Sequence, residues 1–211
     1  MPVQWVDSLA LRSLADIDAR LTAHYDYFGT LAHAGTRAIP TTCKEWLELH
    51  AQGYAAAGSS EARADDAAIA RCVTLEWLRS ARAAQRGWVR DIHWGELPLS
   101  QLPAALATTE SPEREHAVLA ASAAQRSLQD LDGSARIRRS PIANSCEITE
   151  RDNQSNILLR VEAWGDFNGD GLDDVVATII NSRTQGDYQR TRLLALTRSA
   201  ADQKLRVVRE R

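Results

Sequence analysis

No stretch of this chain approaches the roughly 18 to 20 uninterrupted apolar residues that a bilayer span requires, so the sequence offers no membrane helix. Positive charge is not in surplus either. Lys and Arg number 25 against 28 Asp and Glu, a net charge of -3, which removes the electrostatic footprint of a nucleic-acid or anionic-membrane binder. The arginines that become frequent after Arg136 are interleaved with acids and read as a solvated, mixed-charge face. Catalytic signatures are missing as well: there is no GxSxG elbow, no glycine-rich phosphate cradle and no HExxH helix. His24, His33, His50, His93 and His116 are scattered, and none stands at metal-ligand spacing from another His or Cys. The N-terminus lacks the charged, apolar, small-residue order of a secretory leader, which by itself suits a cytosolic chain. No internal repeat is visible.

What is present is an ordinary globular balance, 44% hydrophobic and 25% charged over 211 residues, enough to bury a sizeable core without help. The first two thirds carry helical periodicity. Ser13 and Asp16 resemble a capping box, after which Leu14, Ile17, Leu21, Tyr25 and Phe28 share one face until Gly35. Thr42 and Glu45 repeat the signal, and Cys43, Trp46, Leu47, His50 and Tyr54 form a stripe ending near Gly58. A third helix is expected from Ser59 or Ser60, with Ile69, Cys72, Val73, Leu75 and Leu78 inward, until Gly87. Residues 88–110 hold prolines and tryptophans without a steady period, as an ordered loop with a short helical turn would. A fourth helix is expected from the Ser111 cap and Pro112 to Asp132 and Gly133.

From about residue 135 the period changes from 3.6 to 2. Ile157, Leu159, Val161 and Ala163 alternate with Arg160, Glu162 and Trp164, and residues 174–180, 189–198 and 204–210 supply three further strands. Short connections imply antiparallel pairing. The expected fold is therefore α+β, one compact unit with a helical region over residues 1–134. A four-stranded antiparallel sheet over 135–211 buries one face against it.

Between the first two of those strands lies GDFNGDGLDDVV. At alternate positions it presents Asp166, Asn168, Asp170, the carbonyl of Leu172 and Asp174, all oxygen donors, while Gly169 and Gly171 permit a tight backbone. A hard cation of flexible coordination fits this set, whereas zinc or copper would call for His or Cys. Crowded carboxylates repel one another at low effective dielectric, and a bound calcium ion turns that cost into stability. An EF-hand is a poor match, because its twelfth position would be Ala177 and a strand follows instead of a helix. The stretch resembles the DxDxDGxxD loop of FG-GAP and VCBS repeats, the calcium-binding turns of integrin-type propellers and many bacterial envelope proteins. Asn168 is its one departure, at the second ligand. The resemblance covers about residues 155–200, and a single copy does not imply a propeller.

Extracellular sites of this kind bind calcium at roughly 10⁻⁴ to 10⁻³ M, so the expected home is periplasmic or secreted, with any leader outside these residues. There, Cys43 and Cys72, on the apolar stripes of neighbouring helices, are expected to form a disulfide, with two buried free thiols as the alternative. Cys146 is left unpaired, or displaces one of them. Trp46 and Trp77 fall on or beside apolar helix faces; Trp88, Trp94 and Trp164 are less clearly placed. The resemblance, with the missing catalytic motifs, implies a non-enzymatic calcium-binding immunity or inhibitor protein whose partner is a protein toxin or effector. The alternatives are an envelope hydrolase or its accessory, with Asp91, His93 and Glu96 as its first candidates, and an adhesion or carbohydrate-binding module.

Overall fold

The computed structural model describes residues 1–5, 13–151 and 154–211. After the short strand β1 (Gln4–Trp5), the Ser13 side chain accepts the Asp16 amide and opens α1 (Leu14–Thr22). This helix stops short of the expected Tyr25 and Phe28. A hairpin follows, β2 (Leu31–His33) and β3 (Thr36–Ala38), joined by Ala34 and Gly35 with φ of 47° and 82°. Two successive left-handed residues are what a tight primed hairpin turn demands, so Gly35 closes a hairpin instead of ending a helix. Thr42 caps α2 (Cys43–Ala51), which ends before Tyr54 because Gly53, at φ 87°, turns the chain into β4 (Ala55–Ala56). These strands form a small antiparallel sheet in the order β3-β2-β4.

The third expected helix is present as α3 (Ser59–Ala68), a π-helical stretch (Ile69–Val73) and α4 (Thr74–Ser80), joined without leaving helical backbone angles. Three short 3₁₀ turns then punctuate an ordered loop that buries Leu97, Leu102 and Leu106. The single helix expected from Ser111 to Gly133 is broken: α5 (Pro112–Ala123) ends near Gln125, whose φ is 52°, and a Ser127–Asp130 capping box starts α6 (Leu128–Leu131).

The large sheet is an antiparallel meander of β5 (Arg136–Arg139), β6 (Ser145–Glu150), β7 (Ser155–Gly165), β8 (Asp174–Arg183), β9 (Gln189–Thr197) and β10 (Arg206–Glu210), in the order β10-β9-β8-β7-β6-β5. It thus has six consecutive strands where four were expected. The two extra strands precede Ser155 and carry few apolar residues, β5 being RIRR and β6 SCEITE. β1 pairs with β7 at Ala163 and Trp164, beyond the reach of β6.

Both faces of this sheet are covered, which corrects the expectation of one buried face. On one side Ile157, Leu159, Val161, Ala177 and Leu194 pack under the 88–110 loop, α5 and α6. On the other, Ala163, Val176, Leu193 and Ala195 meet α1, α2 and α4 around Trp46 and Trp77. Strands buried on both faces read as near-continuous apolar runs, as residues 175–180 of β8 and 193–196 of β9 do. The register of β7 on β8 slips between Val161 and Ala163, a β-bulge. Ala163 is thereby moved off the face of Ile157, Leu159 and Val161, and Trp164 onto it. The Cys43–Cys72 disulfide is present, linking α2 to the π-helical stretch, and Cys146 is a buried free thiol. Among the described residues no helix is long and apolar enough to cross a membrane.

Candidate metal centre

β7 ends at Gly165, β8 begins at Asp174, and these two residues are register partners, so residues 166–173 form a closed hairpin loop. Gly169 and Gly171, with φ of 84° and 80°, take left-handed conformations that other residues resist. Asp166 is 4% exposed; its Oδ1 accepts the Gly169 amide at 2.6 Å and its Oδ2 the Gly171 amide at 3.0 Å. The Asn168 side chain accepts the Asp170 amide and donates to Asp170 Oδ2 at 3.1 Å. Asp170 Oδ1 in turn accepts the Leu172 amide at 2.8 Å. No hydrogen bond is donated to the Leu172 carbonyl among the described residues.

Asp174 differs from the other carboxylates of the loop. It is fully buried, and its Oδ2 accepts the Phe167 amide at 2.9 Å while Oδ1 has no partner. Burial pushes its carboxyl up to about 6; the Phe167 amide and the nearby Thr197 hydroxyl, which donates a long 3.5 Å bond to the Asp173 carbonyl, work against that, and Asp170 and Asp166 add to it. A buried carboxylate oxygen without a donor costs free energy unless a cation or proton meets it. The five expected ligands therefore share one loop, and their donors are all oxygen. Among the described residues no three His, Cys, Asp or Glu side chains stand as a metal-holding group; the Asp166 and Asp170 oxygens accept amide hydrogens of the loop. The donor chemistry and the orphaned Asp174 oxygen fit a hard cation such as calcium.

The loop is strapped to the body by a segment that sequence reasoning overlooked. Arg82 and Asp166 exchange backbone hydrogen bonds of 2.9 and 3.0 Å, Gln85 donates to the Gly171 carbonyl at 2.9 Å, and Asp173 donates to the Arg86 carbonyl at 2.7 Å. Asp173 itself was given no role, yet its fully buried carboxylate is gripped by Arg90 at 2.5 and 2.9 Å. A Cβ on Gly87 would sit 2.3 Å from the Asp173 Cβ, so this approach requires glycine. A partner 83 residues away leaves no spacing signal; the hint was an acid just before a largely apolar strand.

The alternative catalytic residues do not assemble. Asp91 and His93 are exposed, and Glu96 is ion-paired with Arg139. Trp94 is buried, and Trp88 and Trp164 are partly so. No protein family, curated protein or solved structure matches this chain.

Proposed function

We propose that the loop of residues 166–174 binds calcium, with Asp166, Asn168, Asp170, the Leu172 carbonyl and Asp174 as its donors. On this reading the chain is a non-enzymatic binding protein of the periplasm or cell exterior. The observation that carries the metal site is the Asp174 Oδ1, fully buried and without a donor at the foot of an oxygen-rich loop. A bound calcium ion supplies the positive charge that this oxygen lacks and offsets repulsion among the three carboxylates. The chain's own residues set the rest: glycines at left-handed angles close the loop, and the 82–86 segment fixes it against the sheet.

Two features favour an oxidising, calcium-rich compartment. Sites of this kind fill only near 10⁻⁴ to 10⁻³ M calcium, roughly, and the Cys43–Cys72 bridge persists where thiols are not kept reduced. Within that setting the proposed role is inhibition, an immunity protein that neutralises a protein effector by occupying it.

Calorimetric titration tests the metal site. Calcium should bind with a Kd of roughly 10⁻⁴ to 10⁻³ M, magnesium more weakly, and Asp174→Asn should abolish the heat while far-UV circular dichroism stays unchanged. No calcium heat from the wild-type chain defeats the proposal. The inhibitor role is tested separately by co-producing the chain with the effector encoded beside its gene. A stable complex and rescued growth are expected; undiminished toxicity sinks the inhibitor reading alone.

A further inference from the structure

The sheet face that carries α1 to α4 is not covered along its whole length. Past the helical contacts, a cleft of about 390 Å³ opens between the π-helical stretch and β7, β8 and β9, a size typical of small-molecule sites. Arg63, Arg71, Arg160 and Glu162 line it together with Thr178, and Ala70 keeps the helical wall low. Two backbone irregularities face each other here. The β-bulge between Val161 and Ala163 makes Glu162 the extra residue of β7, and the π-helical Ile69–Val73 supplies Ala70 and Arg71 from across the cleft. Both kinds of irregularity re-aim side chains and recur at functional sites.

The bulge leaves Glu162 3% exposed, an acid buried at the floor of the cleft. Both of its hydrogen bonds fall on one oxygen: Oε1 accepts the Thr178 hydroxyl at 2.7 Å and Arg160 Nε at 2.8 Å. Oε2 accepts none among the described residues, so a second donor has a place to bind. The two helical guanidiniums also lack carboxylate partners among the described residues. Arg71 instead lies over the rings of Tyr25 and Tyr27, at 5.1 and 4.9 Å from their centroids, which restricts its plane. The lining thus holds three positive charges against one in a chain of net -3. A bare polyanion is disfavoured, because Glu162 repels it from the floor. A ligand with an acid at one end and a donor at the other matches both.

We propose that this cleft binds a small organic acid that also carries an amino or hydroxyl group. Its carboxylate meets Arg63 and Arg71, where guanidinium forks recognise carboxylates well, and its donor meets Glu162 Oε2. The proposal is independent of the calcium loop, since no residue is shared.

The test is amide chemical-shift mapping on the full chain in calcium buffer, with L-glutamate and L-malate as probes and inorganic phosphate as the bare anion. At least one acid should shift the Glu162, Thr178 and Gln189 amides saturably, and phosphate should bind about tenfold more weakly. Arg63→Ala/Arg71→Ala replaces two exposed side chains and should weaken the acid about tenfold or more. Glu162→Gln preserves an acceptor for Thr178 and should also weaken binding. Absence of shifts with both acids up to about 10 mM, where a millimolar Kd would register, overturns the proposal. So does phosphate binding as tightly as the acids, or a double arginine variant that binds like the wild type.

Discussion

Replacing Asp170 with asparagine isolates the charge of one proposed calcium ligand from its structural role. The Asp170 Oδ1 that accepts the Leu172 amide is matched by an asparagine carbonyl, and what is lost is the exposed 3.1 Å hydrogen bond from the Asn168 side chain to Oδ2. Its ion pair with Arg206 is long, at 3.8 Å, with side chains 34% and 51% exposed, and such pairs contribute under about 1 kcal/mol. Relief of repulsion from Asp166 and Asp174 works in the opposite direction. Without calcium, the variant should therefore melt within about 2 °C of the wild type. With calcium at about 10 mM and a Kd of roughly 10⁻⁴ to 10⁻³ M, linkage stabilises the wild-type chain by about 1.4 to 2.7 kcal/mol. At about 2 to 4 °C per kcal/mol for a chain of this size, Tm should rise by about 3 to 11 °C. A tenfold weaker site in the variant removes about 1.0 to 1.3 kcal/mol of that increment, or about 2 to 5 °C. Scanning calorimetry of both proteins, in calcium and in chelator, gives the four values needed. A wild-type Tm indifferent to calcium, or a variant raised as far as the wild type, refutes the assignment.

The Cys43–Cys72 bridge, with a sequence separation of 29, is worth about 3.6 kcal/mol in the chain-entropy picture, so reduction should lower Tm by about 7 to 14 °C. Thiol titration of the unreduced chain should find nothing while it is folded and one thiol after denaturation, since burial pushes Cys146 up to about 12; three reactive thiols would contradict the bridge. Arg90→Ala leaves the Asp173 carboxylate buried without its guanidinium, which should cost about 3 to 5 kcal/mol in denaturant unfolding. A loss below about 1 kcal/mol would mean that water or another cation takes over the carboxylate.

Local signals in the sequence survived into the structure, and signals that depend on distant contacts did not. Ser13, Thr42 and Ser111 cap helices as expected, because a cap needs only the amides a few residues on. Helix ends were overrun at Tyr25, Phe28 and Tyr54: their apolar spacing is compatible with a helix, but Gly35 and Gly53 serve tight turns of a small sheet. The apolar run of residues 174–180 was recognised as a strand. Its lack of alternation also implied cover on both faces, a consequence that reading for helices on one side missed. The bulge at Glu162 was invisible, because alternation in sequence continues unbroken through it while the register beneath changes. The five proposed donors could be grouped from sequence because they lie within nine residues, but the Arg90 clamp on Asp173 depends on the finished fold.

Apart from the short β1, the strands of the large sheet follow both layers that cover it. Residues 17–78 and 89–131 pack on strands that begin at Ser145 and end at Thr197. A chain threaded N-terminus first, from a ribosome or through a membrane pore, therefore offers two sticky amphipathic layers with nothing between them until nearly all of it has emerged. Its tertiary structure must condense late and all at once, around a meander whose own strand neighbours are adjacent in sequence and quick to find one another. Before that moment the short-range hairpin, the Cys43–Cys72 link and the packing of α1 and α2 on α4 and the π-helical stretch hold the early segments together.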